Sequence, residues 1–283
     1  MNKTGKIAFQ GELGANSHIA CVEAFPHLEP LPCRTFENAL SAIADGCAEI
    51  GMIPIENSVA GRVGDIHHLL PGAGLYIQGE YFLPLHHQLL GLKDATIEDI
   101  KTVHSHIVAL GTCRKMINEL DLEPVVSVDT AAAANMVSQA NDPTKAAIAS
   151  KLAAEVYGLK VLRENVEDEE HNTTRFLILS KEPDDAEPEE ENVVTSFVFK
   201  VRNVPAALYK ALGGFATNGV NVTKLESYQL EGAFTATQFY ADIEGHPANR
   251  SVRLALEELE FYTTELNVLG IYKAHPFRTA QRG

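Results

Sequence analysis

EIGMIPIENSVAG, residues 49–61, sets an apolar run of strand length against an abrupt polar stop at Glu56, Asn57 and Ser58. Glycines follow at 61 and 64, and Val63, Ile66, Leu69 and Leu70 keep helical spacing. A buried strand that runs through a polar corner into a helix is the repeating unit of a parallel α/β sheet. Such sheets gather ligands at the carboxyl ends of their strands. Pattern alone leaves two readings of the corner open. Asn57 and Ser58 cap the helix that follows, or its free N–H groups and these side chains cradle a carboxylate.

Similar units flank this one. KIAFQG (6–11) leads into a helical NSHIACVEAF, and LEPLPCR leads into FENALSAIADG, where Phe36, Leu40 and Ile43 share a face. A second series pairs TVHSH (102–106) with ALGTCRKMINELD, EPVVSV (123–128) with DTAAAANMVSQA, and KAAIAS (145–150) with KLAAEVYG. TRFLILSK (174–181) supplies a last strand. Two α/β lobes with a cleft between them are expected over residues 1–181. EPDDAEPEEE (182–191) carries seven acids in ten residues and two prolines, which marks residues 182–192 as a solvated linker. Beyond it, VVTSFVFKV (193–201), PAALYKALGGFATNG (205–219), NVTKLESYQL, FTATQFYADI, a helix over 250–262 and ELNVLGIY read as βαββαβ. Pro205 is expected at the first helical position and EGA as the hairpin turn, giving a second domain over 193–275.

The 283 residues are 45% hydrophobic and 22% charged, ordinary for a globular chain. A net charge of −15 argues against a nucleic-acid partner, though not against a small anion held in a local positive site. No apolar run approaches the ~20 residues of a membrane span, and MNKTGKIAFQ lacks a signal-peptide core. Cys21, Cys33, Cys47 and Cys113 show neither CxxC pairing nor metal spacing, so reduced thiols and a cytoplasmic location are expected.

Several corners carry chemistry-bearing residues. GELGANS (11–17) lacks the order of a dinucleotide fingerprint, and no GK[ST] follows it. No GxSxG elbow gives a serine hydrolase a foothold. His104 and His106, like the pairs His67-His68 and His86-His87, have ligand-like spacing, but no carboxylate or cysteine completes a set of three. Neither metal nor cofactor is therefore expected. NTTRF (172–176) opens an apolar strand with two threonines and an arginine after the acidic ENVEDEE (164–170). Arg175 either forks onto a substrate carboxylate or pairs with those acids.

Taken in order, GELGANS, PIENSVAG (54–61), SH…ALGTC (105–113), TRF (174–176) and GVNVTKLES (219–227) resemble prephenate dehydratase with an appended ACT regulatory domain, over about residues 5–275. That resemblance implies a catalytic domain like a two-lobed periplasmic binding protein and a ferredoxin-like ACT domain. It implies decarboxylating dehydration of prephenate to phenylpyruvate on the route to phenylalanine, with no cofactor. The threonine of TRF, here Thr174, is the family's catalytic group. Glu56, Asn57, Ser58, Ser105, Thr112, Thr173, Arg175 and Phe176 map to the substrate site. Ala206, Ala207, Leu208, Asn221, Thr223, Glu226 and Ser227 map to a phenylalanine effector site at an ACT interface, implying a homodimer or homotetramer.

Four positions depart from the family pattern. Thr112 stands where glutamine is frequent, Tyr228-Gln229 where ESRP continues, and Ala206 where a glycine is usual. Arogenate dehydratase and a non-catalytic amino-acid sensor are the competing readings. The paired Thr174 and Arg175 favour catalysis over sensing, since a pure binder has no use for a proton donor at a leaving oxygen.

Overall fold

β-strand alternation places the cores. The computed structural model describes residues 5–169, 171–202, 204–229 and 236–280. The chain opens as β1 (Lys6–Gln10), α1 (Asn16–Ala24), β2 (Glu29–Cys33), α2 (Phe36–Ala44), β3 (Ile50–Asn57), β4 (Gly61–Arg62) and α3 (Gly64–Leu69). It continues with β5 (Tyr76–Pro84), β6 (Gln88–Gly91), β7 (Thr102–Ser105), α4 (Ile107–Thr112), α5 (Arg114–Glu119), β8 (Glu123–Val126), α6 (Thr130–Ala140), β9 (Lys145–Ala149), α7 (Lys151–Tyr157), β10 (Lys160–Arg163) and β11 (Thr173–Ser180). The last elements are β12 (Val193–Val201), α8 (Ala207–Thr217), β13 (Val222–Gln229), β14 (Ala236–Glu244), α9 (Arg250–Tyr262), β15 (Thr263–Lys273) and α10 (Pro276–Ala280).

Two lobes form around separate sheets, ordered β2-β1-β3-β11-β5 and β10-β6-β9-β7-β8. Parallel pairing of β1 with β2, and of β7 with β8 and β9, follows from the helical crossovers. In the second lobe, period-two alternation sends Ala146 and Ile148 of β9 to one core with Leu110 and Ile117. Ala147 and Ala149 go to another with Ala134 and Val137. Helices thus cover both faces of that sheet, as buried parallel strands require.

The chain divides into two compact units. One holds the residues up to Ala42, Gly51–Val63 and Phe82–Phe176; the other holds Ile43–Ile50, Gly64–Tyr81 and the residues from Leu177 onward. Within the second unit, β12 to β15 form an antiparallel sheet in the order β13-β14-β12-β15, the ferredoxin-like arrangement. Phe197, Phe199, Phe239 and Ile243 face Ala211, Phe215, Val252 and Leu259 of α8 and α9. Each buried phenylalanine contributes about 1.5–3 kcal/mol of apolar transfer. The expected EGA turn lies outside the described residues.

The structure corrects several expectations. β3 does not stop before Glu56 but runs through Asn57 and folds back on β4, pairing Asn57 with Gly61. Asn57 therefore caps a tight turn rather than a helix, because α3 starts only at Gly64. α8 begins at Ala207 instead of Pro205, since Ala206 adopts a left-handed φ of 59° that breaks the helical path. The helix expected over ALGTCRKMINELD (109–121) is divided at Cys113 into α4 and α5. Among the described residues, no helix is long and apolar enough to cross a membrane.

Candidate active site

The polar corner after β3 is stitched to the start of β11. Ser58 donates its backbone N–H to Thr173 O at 2.9 Å and its Oγ to His171 O at 2.7 Å, and accepts Thr173 N–H at 2.9 Å. Asn57 Oδ1 accepts the N–H groups of Val59 (3.0 Å) and Ala60 (2.8 Å), an Asx turn. Its amide nitrogen is thereby turned toward β11. It donates to Asn172 Oδ1 at 2.7 Å and Thr174 Oγ1 at 3.0 Å, with Thr173 O at 3.3 Å. This places Asn57, Ser58, Thr173 and Thr174 in one cluster. The Thr174 side chain stands at its inner edge, 8% exposed.

Other expected residues point elsewhere. Arg175 is buried, and its Nη1 donates to Glu56 Oε1 at 2.9 Å. The acid of the ENS corner is thus one of its partners. Two acids of ENVEDEE, Glu167 and Asp168, bond to other groups. Asp168 accepts from the N–H groups of Arg114 (2.9 Å) and Lys115 (3.0 Å) at the start of α5, while Glu167 accepts His87 N–H at 2.9 Å and meets His86 Nδ1 at 3.0 Å. Ser105 is wholly buried and donates to Ile148 O at 2.6 Å. Thr112 Oγ1 donates to Ala109 O within its own helix at 3.1 Å, and Phe176 lies in the core. Cys113 offers no nucleophile: burial first of all pushes its thiol up to about 12, and free thiolate is needed for attack. No group of three His, Cys, Asp or Glu side chains is placed to hold a metal among the described residues.

Two features escaped the sequence reading. Asn172, the first residue of NTTRF, binds Asn57 through its side chain, and its carbonyl accepts Leu85 N–H at 2.7 Å. An amide immediately upstream of two threonines was the available signal. The other is the close approach of the two lobes. Ser150 donates its Oγ to Gly14 O at 2.6 Å while capping α7 through Ala153 N–H at 3.0 Å. Gly14 has φ +90°, and a Cβ there would come within 2.8 Å of Ala153 Cα, so glycine is required for this contact.

The family model described as prephenate dehydratase matches residues 7–184, which include the Asn57–Thr174 cluster. The chain belongs to the prephenate dehydratase family. A Komagataeibacter europaeus protein named as a bifunctional N-acyl-homoserine lactone acylase/prephenate dehydratase is 51% identical over 278 residues, 98% of this chain and 99% of its own. Arogenate dehydratase/prephenate dehydratase 1 of Arabidopsis thaliana is 37% identical, covering 94% of this chain and 71% of its own. A crystal structure of prephenate dehydratase from Arthrobacter aurescens in complex with L-Phe matches with a TM-score of 0.85 at 28% identity, covering 95% of this chain and 90% of its own.

Proposed function

We propose that the chain is a prephenate dehydratase in which Thr174 is the proton donor. The observation that carries this is the Thr174 hydroxyl, held by Asn57 at 3.0 Å within the family-matched residues. Prephenate loses its ring carboxylate as carbon dioxide, and the electron pair of the broken C–C bond moves through the ring to expel the opposite hydroxyl. That oxygen takes the Thr174 Oγ1 proton and leaves as water; solvent then returns a proton to the threonine. Aromatisation drives the step. A neutral alcohol suffices as acid because the departing oxygen is nearly hydroxide, whose conjugate acid has a pKa of about 15.7. Ser58 and Thr173, close to the donor, would orient the substrate, while Asn57 holds the donor itself. Arg175 and Glu56 would fix the strand that carries Thr174, with Phe176 beneath it. Thr174→Ala should lower kcat about 10²–10⁴-fold with KM nearly retained. Wild-type turnover of prephenate to phenylpyruvate, followed by ultraviolet absorbance, would overturn the assignment.

The domain division proposed is a catalytic domain over 1–181, a linker over 182–192 and an ACT domain over 193–275. The ferredoxin-like sheet of the second unit and the L-Phe-bound Arthrobacter relative support the last of these. Phenylalanine would bind around Ala206, Ala207, Leu208, Asn221, Thr223, Glu226 and Ser227 where two ACT domains meet, and would inhibit by favouring one cleft state. Arogenate is the competing substrate, supported by the Arabidopsis relative's name. The ratio of kcat/KM on the two substrates decides between them.

One observation favours a second activity. The relative at 51% identity is also named an N-acyl-homoserine lactone acylase. Here a cavity of about 480 Å3 is lined in part by Ile19, Val22, Leu83, Pro84 and Leu152, an apolar wall suited to an acyl chain. Hydrolysis would release homoserine lactone and a carboxylic acid. Absence of both from incubations of the purified chain with a long-chain substrate would remove this reading.

A further inference from the structure

We infer that Asn57 is a positioning residue that fixes the sense of the Thr174 hydrogen bond, so that the threonine can only donate to what enters the cleft. The inference rests on the dehydratase reading of Thr174 and concerns how its proton is aimed. A hydroxyl both donates and accepts, and an isolated threonine can turn its proton toward any acceptor nearby. Here the rotor is decided by a neighbour. Asn57 Oδ1 is committed to two backbone N–H groups, those of Val59 at 3.0 Å and Ala60 at 2.8 Å. The opposite orientation of the amide would press an NH2 group against two N–H donors. The nitrogen must therefore face β11, where Asn172 Oδ1 accepts at 2.7 Å and Thr174 Oγ1 at 3.0 Å.

An amide nitrogen has protons and no usable lone pair, so Thr174 Oγ1 accepts in this bond and keeps its own proton for another partner. Among the described residues, this is the hydrogen bond made by the Thr174 hydroxyl. A donor aimed at Oγ1 also stabilises the alkoxide that forms as the proton departs. The turn at 57–60, the amide and the hydroxyl thus form a directed chain. It begins at backbone N–H groups of fixed position and ends at the reacting proton. On this account Asn57 acts on kcat through Thr174, and substrate affinity is left to other groups.

Asn57→Asp reverses the sense without removing the turn. One carboxylate oxygen still accepts from Val59 and Ala60, while the other replaces the nitrogen and, when ionised, accepts the Thr174 proton. Turnover should fall about 10²–10⁴-fold at neutral pH with KM little changed. It should recover as pH is lowered through the carboxylate's titration, because the protonated acid donates as the amide did. In the Asn57→Asp/Thr174→Ala double variant this pH dependence should vanish. Asn57→Ser, which keeps an oxygen for the turn and lacks the nitrogen, should lower kcat without the acid recovery; it serves if the aspartate variant fails to fold by circular dichroism. A wild-type pH profile for the aspartate variant, or a loss confined to KM, would overturn the proposal. If Thr174→Ala itself turns over prephenate normally, the dehydratase assignment of that residue fails instead, and the two failures are distinct.

Discussion

Ala206 carries a methyl group where the backbone favours none. Its φ of 59° and ψ of 20° are left-handed, and a Cβ in that region costs about 1–2 kcal/mol. The family's usual glycine would avoid this at a smaller cost in unfolded-chain entropy. Ala206→Gly should therefore raise the stability of the second unit by about 1 kcal/mol, read as a higher urea midpoint. An unchanged midpoint would mean that the turn relaxes out of the left-handed region. Sequence could mark this position as unusual but not supply its dihedral. The same division holds in the cluster. Motif order singled out Thr174, Asn57 and Arg175, whereas the direction of each side chain was not legible. β11 is buried on both faces, so its alternation does not say which face borders a ligand; Thr174, Arg175 and Phe176 are all buried, and Thr174 meets Asn57 while Arg175 meets Glu56. Ser105 likewise reads as a cleft residue by position but spends its hydroxyl on Ile148 O.

Buried imidazoles make the elements that carry them sensitive to acid. His18 on α1, His87 just before β6, His104 on β7 and His275 before α10 all have pKa values lowered from 6.5, in each case chiefly by burial. A neutral imidazole in the fold and an ordinary one in the unfolded chain are equivalent well above pH 6.5. Below it the unfolded chain binds protons that the folded chain refuses, so stability falls as pH drops. The urea midpoint should be level from about pH 8 to 7 and decline toward pH 5.5, starting at the ordinary histidine value of about 6.5. His87→Leu should flatten that decline, because this side chain is deeply buried while only its backbone N–H is bound by Glu167. A midpoint rising toward pH 5.5 would mean these rings gain protons on folding. Strong helical and strand periodicity made most elements readable, including β1, β3, β7, β9, α6 and α9. β5, β6 and β10 were not read. Residues 76–91 mix Gly79, Glu80, Pro84 and two histidines into an apolar run, and β6 pairs antiparallel with both β10 and β9 in a sheet where β7 pairs parallel with β8 and β9. No local period records that reversal.

Arg278 joins β13, β14 and β5 within the second unit, and none of its partners was suggested by sequence spacing. Its Nε and Nη2 fork onto Glu80 at 2.6 and 2.9 Å, Nη2 also meets Asp242 Oδ2 at 3.3 Å, and Nη1 meets Thr223 Oγ1 at 3.3 Å. Both carboxylate side chains are fully buried, and Ser196 Oγ donates to Asp242 Oδ1 at 2.6 Å. A planar guanidinium fits this fork, and a lysine cannot reproduce it. Thr223 belongs to the proposed effector strand, while β5 continues from Glu80 to Pro84. Leu85 follows, and its N–H binds Asn172, the amide beside Thr174 and Asn57. A continuous chain of bonds thus leads from a proposed phenylalanine contact to the proposed proton donor, the kind of network able to carry coupling once tested. Arg278→Lys keeps the charge and loses the fork. It should preserve kcat without phenylalanine and bring the effect of phenylalanine on substrate affinity, ordinarily about 5–150-fold in coupled sites, close to unity. Inhibition curves at several prephenate concentrations measure that ratio in both proteins. Undiminished coupling in the lysine variant would place the signal outside this fork; no coupling in the wild type would remove the regulatory reading of the ferredoxin-like sheet itself.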